Sequence, residues 1–286
     1  MVTEKGVERP TAIPRRRWFG ISVSPDGRQV AGDLLAPKGT FALDVWIADL
    51  KTGAMERPTT DSLSESGEWT RDGRAVAFSS SDRVRLQSWP RSGGSTPIAD
   101  LARVDYMSPG PAGGYWAFST ANDDIFIARD DSLQAPRPFL AAVGVVENWP
   151  RVSPDGRLLA YASDEGGQLN VYVQPIPGPG VRARVSVAGG IDPIWSPDGT
   201  ALFYLTLGDP RIFMRATIAS RPNLEVTRRD SLFPDRYKGY DVMPNGREFL
   251  MLKPGERELR GDVVTLIVNW PQMLARSRAA QRASAP

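Results

Sequence analysis

Ser153-Pro154-Asp155-Gly156-Arg157, followed by Leu158-Leu159-Ala160-Tyr161, reads as a tight turn feeding a short strand. Proline presets φ, the Asp side chain bonds nearby backbone, and Gly accepts a positive φ. The string recurs as Ser24-Pro25-Asp26-Gly27-Arg28 and Ser196-Pro197-Asp198-Gly199. Weaker copies are Thr70-Arg71-Asp72-Gly73-Arg74 and Met243-Pro244-Asn245-Gly246-Arg247. A degenerate sixth copy is Ser108-Pro109-Gly110 before Gly113-Gly114. The turn glycines are then 27, 73, 114, 156, 199 and 246, spaced 41 to 47 residues apart. A period of ~40–45 residues with four strands per unit is propeller spacing.

Outward from the turns, each unit repeats the same strands. The second strand carries large residues on one face and often Ala between them, as at Ala31, Ala77, Ala117 and Ala160. That alternation of period two marks a strand. A third strand follows, from Val45-Trp46-Ile47 in the first unit to Val263-Val264-Thr265 in the sixth. Fourth strands rich in Pro and Arg, at 55–59, 96–99, 137–140, 182–186 and 224–228, suit sheet edges. The sixth unit has no such strand after Val263. However, Glu8-Arg9-Pro10-Thr11 duplicates Glu56-Arg57-Pro58-Thr59 of the first unit's outer strand. The expected fold is therefore all-β: a six-bladed β-propeller of four-stranded antiparallel blades, closed by an N-terminal strand that completes the last blade. The blades fall at about 15–60, 61–100, 101–142, 143–187, 188–229, and 230–270 plus 7–13. Residues 271–286 form a tail, a short helix or disordered.

Composition narrows the chemistry. The 286 residues contain no His and no Cys. That excludes Ser-His-Asp and Cys-His catalysis, His-ligated metals and disulfides. Net charge is +2, with arginines grouped near the two ends at Arg15, Arg16, Arg17 and Arg276, Arg278, Arg282. No motif interleaves them with aromatics, so no nucleic-acid partner is expected. No run of ~18 apolar residues predicts a membrane span, and residues 1–14 lack the apolar core of a signal peptide. The chain is expected to be a monomer, cytoplasmic as it stands, or periplasmic or otherwise extracytoplasmic as part of a longer exported chain.

The three Ser-Pro-Asp-Gly copies, each before an apolar strand, resemble the PD40 repeats of TolB-like propellers, the WD40-like propellers of bacteria. The resemblance runs from about residue 8 to 270. Tyr240-Asp241-Val242-Met243-Pro244-Asn245-Gly246-Arg247-Glu248-Phe249-Leu250-Met251, with Ile267-Val268-Asn269-Trp270, is similar to the last blade of propellers fused to membrane-anchored bacterial serine/threonine kinases. That implies an extracytoplasmic sensor or docking domain. No kinase motif stands in this chain, and no G-x-S-x-G elbow does either.

Carboxylates are the chemistry left. Asp123-Asp124, Asp130-Asp131 and Asp164-Glu165 lack the ligand spacing of a calcium loop and read as solvated loops. No metal site and no cofactor is expected. Trp69 and Trp195, just before their turns, read as core, and Trp46 as partly exposed. Loops that lead into the innermost strands converge at the axial channel. They carry Arg17, Trp18, Glu65, Asp105, Tyr106, Glu147, Asn148, Trp149, Asp192, Tyr237, Lys238 and Tyr240. This polar and aromatic set suits a protein or peptide partner. The leading function is non-catalytic interaction or ligand sensing. The alternative is a carboxylate-based hydrolase or lyase acting on a sugar or peptide in the channel, which two buried, pKa-raised carboxylates there would favour.

Overall fold

The computed structural model describes residues 1–35, 43–80, 83–101, 103–178 and 180–254. Among these residues, five antiparallel sheets of four strands and one of three follow one another. Blade one comprises Trp18–Val23, Gln29–Leu35, Leu43–Asp49 and Met55–Glu56. Blade two comprises Glu65–Trp69, Ala75–Ser79, Val84–Ser88 and Thr96–Ala99. Blade three is Val104–Ser108, Tyr115–Thr120, Ile125–Arg129 and Arg137–Leu140. Blade four is Glu147–Val152, Leu158–Ser163, Asn170–Pro175 and Ala183–Arg184. Blade five is Ile191–Trp195, Ala201–Leu205, Ile212–Ala219 and Glu225–Pro234. Blade six has Gly239–Val242 innermost and Glu248–Leu252 beside it. Each innermost strand touches the next, and that of blade six touches that of blade one, so the ring closes. No helix among the described residues is long and apolar enough to cross a membrane.

Closure uses the N-terminus, with more of it than the duplicated tetrapeptide suggested. Val2–Thr3 pairs antiparallel with Glu248–Leu252, at the third position of blade six. The chain then doubles back, and Glu8 bridges Val2 on its outer side. Arg9 N–H donates to Met1 O at 2.8 Å. Within blade six, Arg9 pairs with Glu248 and Lys253 with Glu8. The expected third strand at Val263-Val264-Thr265 and the tail at 271–286 lie outside the described residues.

Alternating large residues face neighbouring sheets, and the core sits between blades. Between blades five and six, Phe203, Phe213, Phe233, Tyr240 and Phe249 pack together, with Phe213 4.7 Å from Tyr240 and 4.8 Å from Phe249 in edge-to-face contacts. Full burial of each such side chain stabilises by about 1.5–3 kcal/mol. Trp69 and Trp195 are core as expected. Trp46 is half-exposed beneath the Arg57 guanidinium.

The repeated turns act between blades as well as within them. In blade one, Ser24 Oγ donates to Asp26 Oδ1 at 2.7 Å, and Arg28 N–H donates to the same oxygen. Gly27 sits at φ +70°. Five of the six turn glycines also stack on the turn proline of the preceding blade: Gly27 on Pro244, Gly73 on Pro25, Gly156 on Pro111, Gly199 on Pro154, Gly246 on Pro197. A Cβ on Gly156 would lie 2.7 Å from Pro111 Cγ. In the degenerate turn of blade three the left-handed residue is Gly113, at φ +70°, rather than Gly114. Its proline is Pro111, two residues after Pro109 and two before Gly113, the spacing of the regular turns.

Candidate functional site at the axial channel

Strand direction divides the residues along the axis. Innermost strands run from a mouth end, where fourth strands hand over, to a turn end, where the Ser-Pro-Asp-Gly turns stand. Registers align the blades: Ser22, Glu68, Ser108, Arg151, Ile194 and Asp241 each sit opposite the same position of their second strands, namely Ala31, Ala77, Ala117, Ala160, Phe203 and Leu250. Two residues nearer the mouth stand Gly20, Ser66, Tyr106, Trp149, Asp192 and Gly239. A register shift occurs at or next to this position in blades one to five. Such bulges re-aim side chains. Ser66, Trp149 and Asp192 adopt φ of 58°, 52° and 52°, a conformation that costs a non-Gly residue of order 1–3 kcal/mol.

The mid-channel ring joins the blades. Ser22 Oγ accepts Trp69 N–H at 3.1 Å, Ser108 Oγ accepts Val152 N–H at 2.9 Å, and Asp241 Oδ2 accepts Val23 N–H at 2.6 Å. Glu68 has no such donor ahead of it, because Pro109 occupies that place and has no N–H. Glu68 instead accepts from Arg151 Nη1 at 2.9 Å, across blade three, while the same nitrogen donates to Met107 O at 3.0 Å. Burial pushes the Arg151 guanidinium down. Glu68, Asp192 and Asp241 together outweigh that and hold it above its ordinary value.

Carboxyls around the channel move the other way. Burial, with Glu68 nearby, pushes Asp241 up to about 7 against the N–H groups of Val23 and Val242 that it accepts. Burial pushes Asp192 up to about 6, with Arg151 opposing. In blade one, Asp33 is raised to about 7 by burial although it accepts the N–H groups of Ser66 and Gly67. Glu147 is raised to about 6, again by burial.

The sequence-predicted residues divide into two sets. Tyr106 and Trp149, at equal positions in neighbouring blades, meet with ring centroids 5.7 Å apart. Both are half-exposed, as are Trp18 and Asp192, while Arg17, Glu65, Asp105 and Lys238 are exposed. Arg17 lies over Phe19 at 5.3 Å. Glu147, Asn148, Tyr237 and Tyr240 are buried. Asn148 accepts from Ser119 Oγ and donates to Asp123. Tyr237 OH donates to Glu8 Oε1, and Tyr240 OH to the Asp192 carbonyl. These four tie the mouth together from beneath. The loop acids are engaged locally: Asp130 accepts from Gly113 N–H and Trp116 Nε1, Asp131 pairs with Arg129, and Glu165 pairs with Arg182. Among the described residues no group of three or more acidic side chains is arranged to hold a metal ion.

Sequence reasoning missed Ser66, Phe19, Leu63, Asp33 and the Glu68–Arg151 pair. Aligning innermost strands by their turns would have found Ser66. The pair is 83 residues apart and follows only from ring closure.

Solved structures with the same architecture were found across most of the chain. It superposes on a TolB candidate from Agrobacterium tumefaciens with a TM-score of 0.64, at 15% identity, over 84% of this chain and 91% of that one. It superposes on TolB from Acinetobacter baumannii with a TM-score of 0.60, at 17% identity, over 79% and 60%. The fold is that of the TolB propellers. No protein-family model matches the chain. In sequence, 103 residues of this TolB-like propeller are 38% identical to Tricorn protease homolog 1 of Streptomyces coelicolor, covering 35% of the chain and 9% of that protein. A stretch of 101 residues is 33% identical to the uncharacterized peptidase YuxL of Bacillus subtilis, covering 34% of the chain and 14% of that protein. The TolB-like chain thus spans only a small part of each curated relative.

Proposed function

We propose that the chain is a non-catalytic binding propeller that receives a protein or peptide segment at the mouth end of its channel. One observation carries this reading. Seven large hydrophobic residues are exposed among those described, and five of them, Phe19, Leu63, Val143, Val187 and Leu207, stand on mouth-end strands and loops. They stand at the same end of the channel as the half-exposed Tyr106–Trp149 pair. Exposed apolar groups gathered on one face suit a partner surface, and aromatic anchors commonly supply most of the binding energy. Glycines at 20 and 239 leave the opposite side of the ring without side chains. A selection of displayed random peptides against the purified protein tests this. Selected peptides should bind at least tenfold more weakly to Trp149→Ala and Leu63→Ser. Unchanged affinity in both variants would sink the reading.

The resemblance of residues 240–251 to kinase-linked propellers supports an extracytoplasmic setting for this surface. The reading frame of the parent gene tests that, with an upstream kinase domain and membrane span expected.

A second reading has its own support. Asp192 and Asp241 are both raised towards neutrality beside Arg151, and the two partial sequence relatives are called peptidases. Such a pair could act as general acid and base on a sugar or peptide. Against it, both Asp241 oxygens already accept backbone N–H groups. Turnover of oligosaccharide or peptide mixtures that disappears in Asp192→Asn would establish it.

A further inference from the structure

The turn end of the channel holds a cavity of about 380 Å³ that the mouth-end reading leaves unused. Its rim is the ring of turns. In five of the six turns, proline stands at the ring position and the next blade's glycine stacks on it. Blade two breaks the pattern: Arg71 occupies that place, and Gly113 of blade three has nothing within 4 Å of where a Cβ would be. The Arg71 side chain turns to the axis and reaches past blade three to blade four, where Nη2 donates to Val152 O at 2.7 Å. That is its one hydrogen bond among the described residues, so most of the five N–H donors of a guanidinium remain unspent.

Most of the other charged lining is engaged within the ring. Arg151 is held by Glu68 and Met107 O. Asp241 is held by the N–H groups of Val23 and Val242. Ser22 and Ser108, both buried, accept one N–H each and donate to no described residue. The unspent donor capacity facing the cavity is one cation and two hydroxyls, beside the Glu68 carboxylate, whose Oε1 Arg151 already occupies. Around them stand apolar walls from Pro25, Pro154, Pro244, Ile194 and Trp195. Arg71, Pro25 and Pro244 are exposed, so the cavity communicates with solvent at this end. Concave, largely apolar sites with a few convergent polar groups are the usual form of small-ligand pockets.

We infer that this cavity binds an organic carboxylate, with the Arg71 guanidinium as anchor and the Ser22 and Ser108 hydroxyls as further donors. The planar fork of Arg matches a carboxylate in two parallel hydrogen bonds, and the walls take the ligand's apolar body. The carboxylate belongs either to a small free acid or to the C-terminus of a peptide a few residues long.

Calorimetric titration of the whole chain tests this with N-acetylphenylalanine, its amide, and an acetylated tetrapeptide ending in a free phenylalanine carboxylate. The acid should bind at least tenfold tighter than the amide. Tighter binding of the tetrapeptide points to a chain terminus, and tighter binding of N-acetylphenylalanine to a small acid. Arg71→Pro restores the regular turn ring and should weaken acid binding at least tenfold with no loss in thermal midpoint. Arg71→Met should weaken it likewise and covers the case in which the proline disturbs the turn. Arg28→Ala, an exposed turn arginine of the same end, should bind as the native chain does. The inference is overturned if acid and amide bind alike, if no acid binds at millimolar concentration, or if both Arg71 variants bind normally. None of these outcomes bears on the mouth surface, whose test uses other probes.

Discussion

At the turn end of the channel, five blades present the same proline and glycine, stacked one blade on the next. At the mouth end the same six strands present Gly20, Ser66, Tyr106, Trp149, Asp192 and Gly239, with hardly two neighbours alike. The turn end uses repetition to hold blades together, because identical units can only make identical joints. The mouth end carries left-handed backbone at three of six positions and raised carboxyls nearby. Conformations and charges that cost stability are thus gathered where the ring is least regular. Substitutions in mid-channel and at the turns should change stability, and substitutions at the mouth should change binding.

The largest effect is expected in mid-channel, where the two halves meet. Glu68→Gln leaves Arg151 without its partner and should cost on the order of 3 kcal/mol in urea unfolding. Adding Arg151→Met should recover most of that loss. A single variant as stable as the native chain would show that the pair is not a joint. Next comes Gly156→Ala, which adds a Cβ against Pro111 at φ +72° and should cost about 2 kcal/mol. Gly113→Ala, at a similar φ but with no proline opposite, should cost only about 1 kcal/mol. Equal costs would remove the stacking argument.

Proton linkage gives a middle-sized test. Asp33, Asp241, Asp192 and Glu147 have folded pKa values raised to about 7, 7, 6 and 6. The folded chain therefore holds protons that the unfolded chain has released, and this stability, full below about pH 4, is lost as pH rises from there through 7. Turn aspartates such as Asp26 and Asp198 are lowered by their serine hydroxyls, so their contribution is lost below about pH 4. The thermal midpoint should peak near pH 4 and fall by several degrees towards pH 8. Asp33→Asn should flatten that fall. The smallest stability effect belongs to Trp149→Gly. Glycine relieves the φ of +52°, so the midpoint should hold or rise while peptide binding disappears. A large loss of stability would mean that Trp149 is a structural residue.

The fold was legible because its cause is local. A Pro-Asp-Gly turn and a strand of period two are each decided by fewer than ten residues, and repetition multiplied the signal. Where one copy decayed, the reading slipped by a residue, from Gly113 to Gly114. The mouth was legible as a set of loops, since strand order fixes which loops converge. Which of its residues stay exposed was not, because Tyr237 and Tyr240 are buried by partners in blades five and six and at the N-terminus. The channel pairs were least legible of all. Glu68 and Arg151 meet only because two blades face each other across a closed ring.

The seating of Val2–Thr3 against Glu248–Leu252 has a consequence for synthesis. Val2–Thr3 is made some 245 residues before the strand it pairs with. Until Glu248–Leu252 has been made, Val2–Thr3 has no strand to pair with, and the first five blades stand as an open array with bare ends. Non-local pairing of this kind is slow and leaves edges exposed to other chains. The growing polypeptide should therefore be most dependent on chaperones, and most open to proteases, just before its sixth blade emerges.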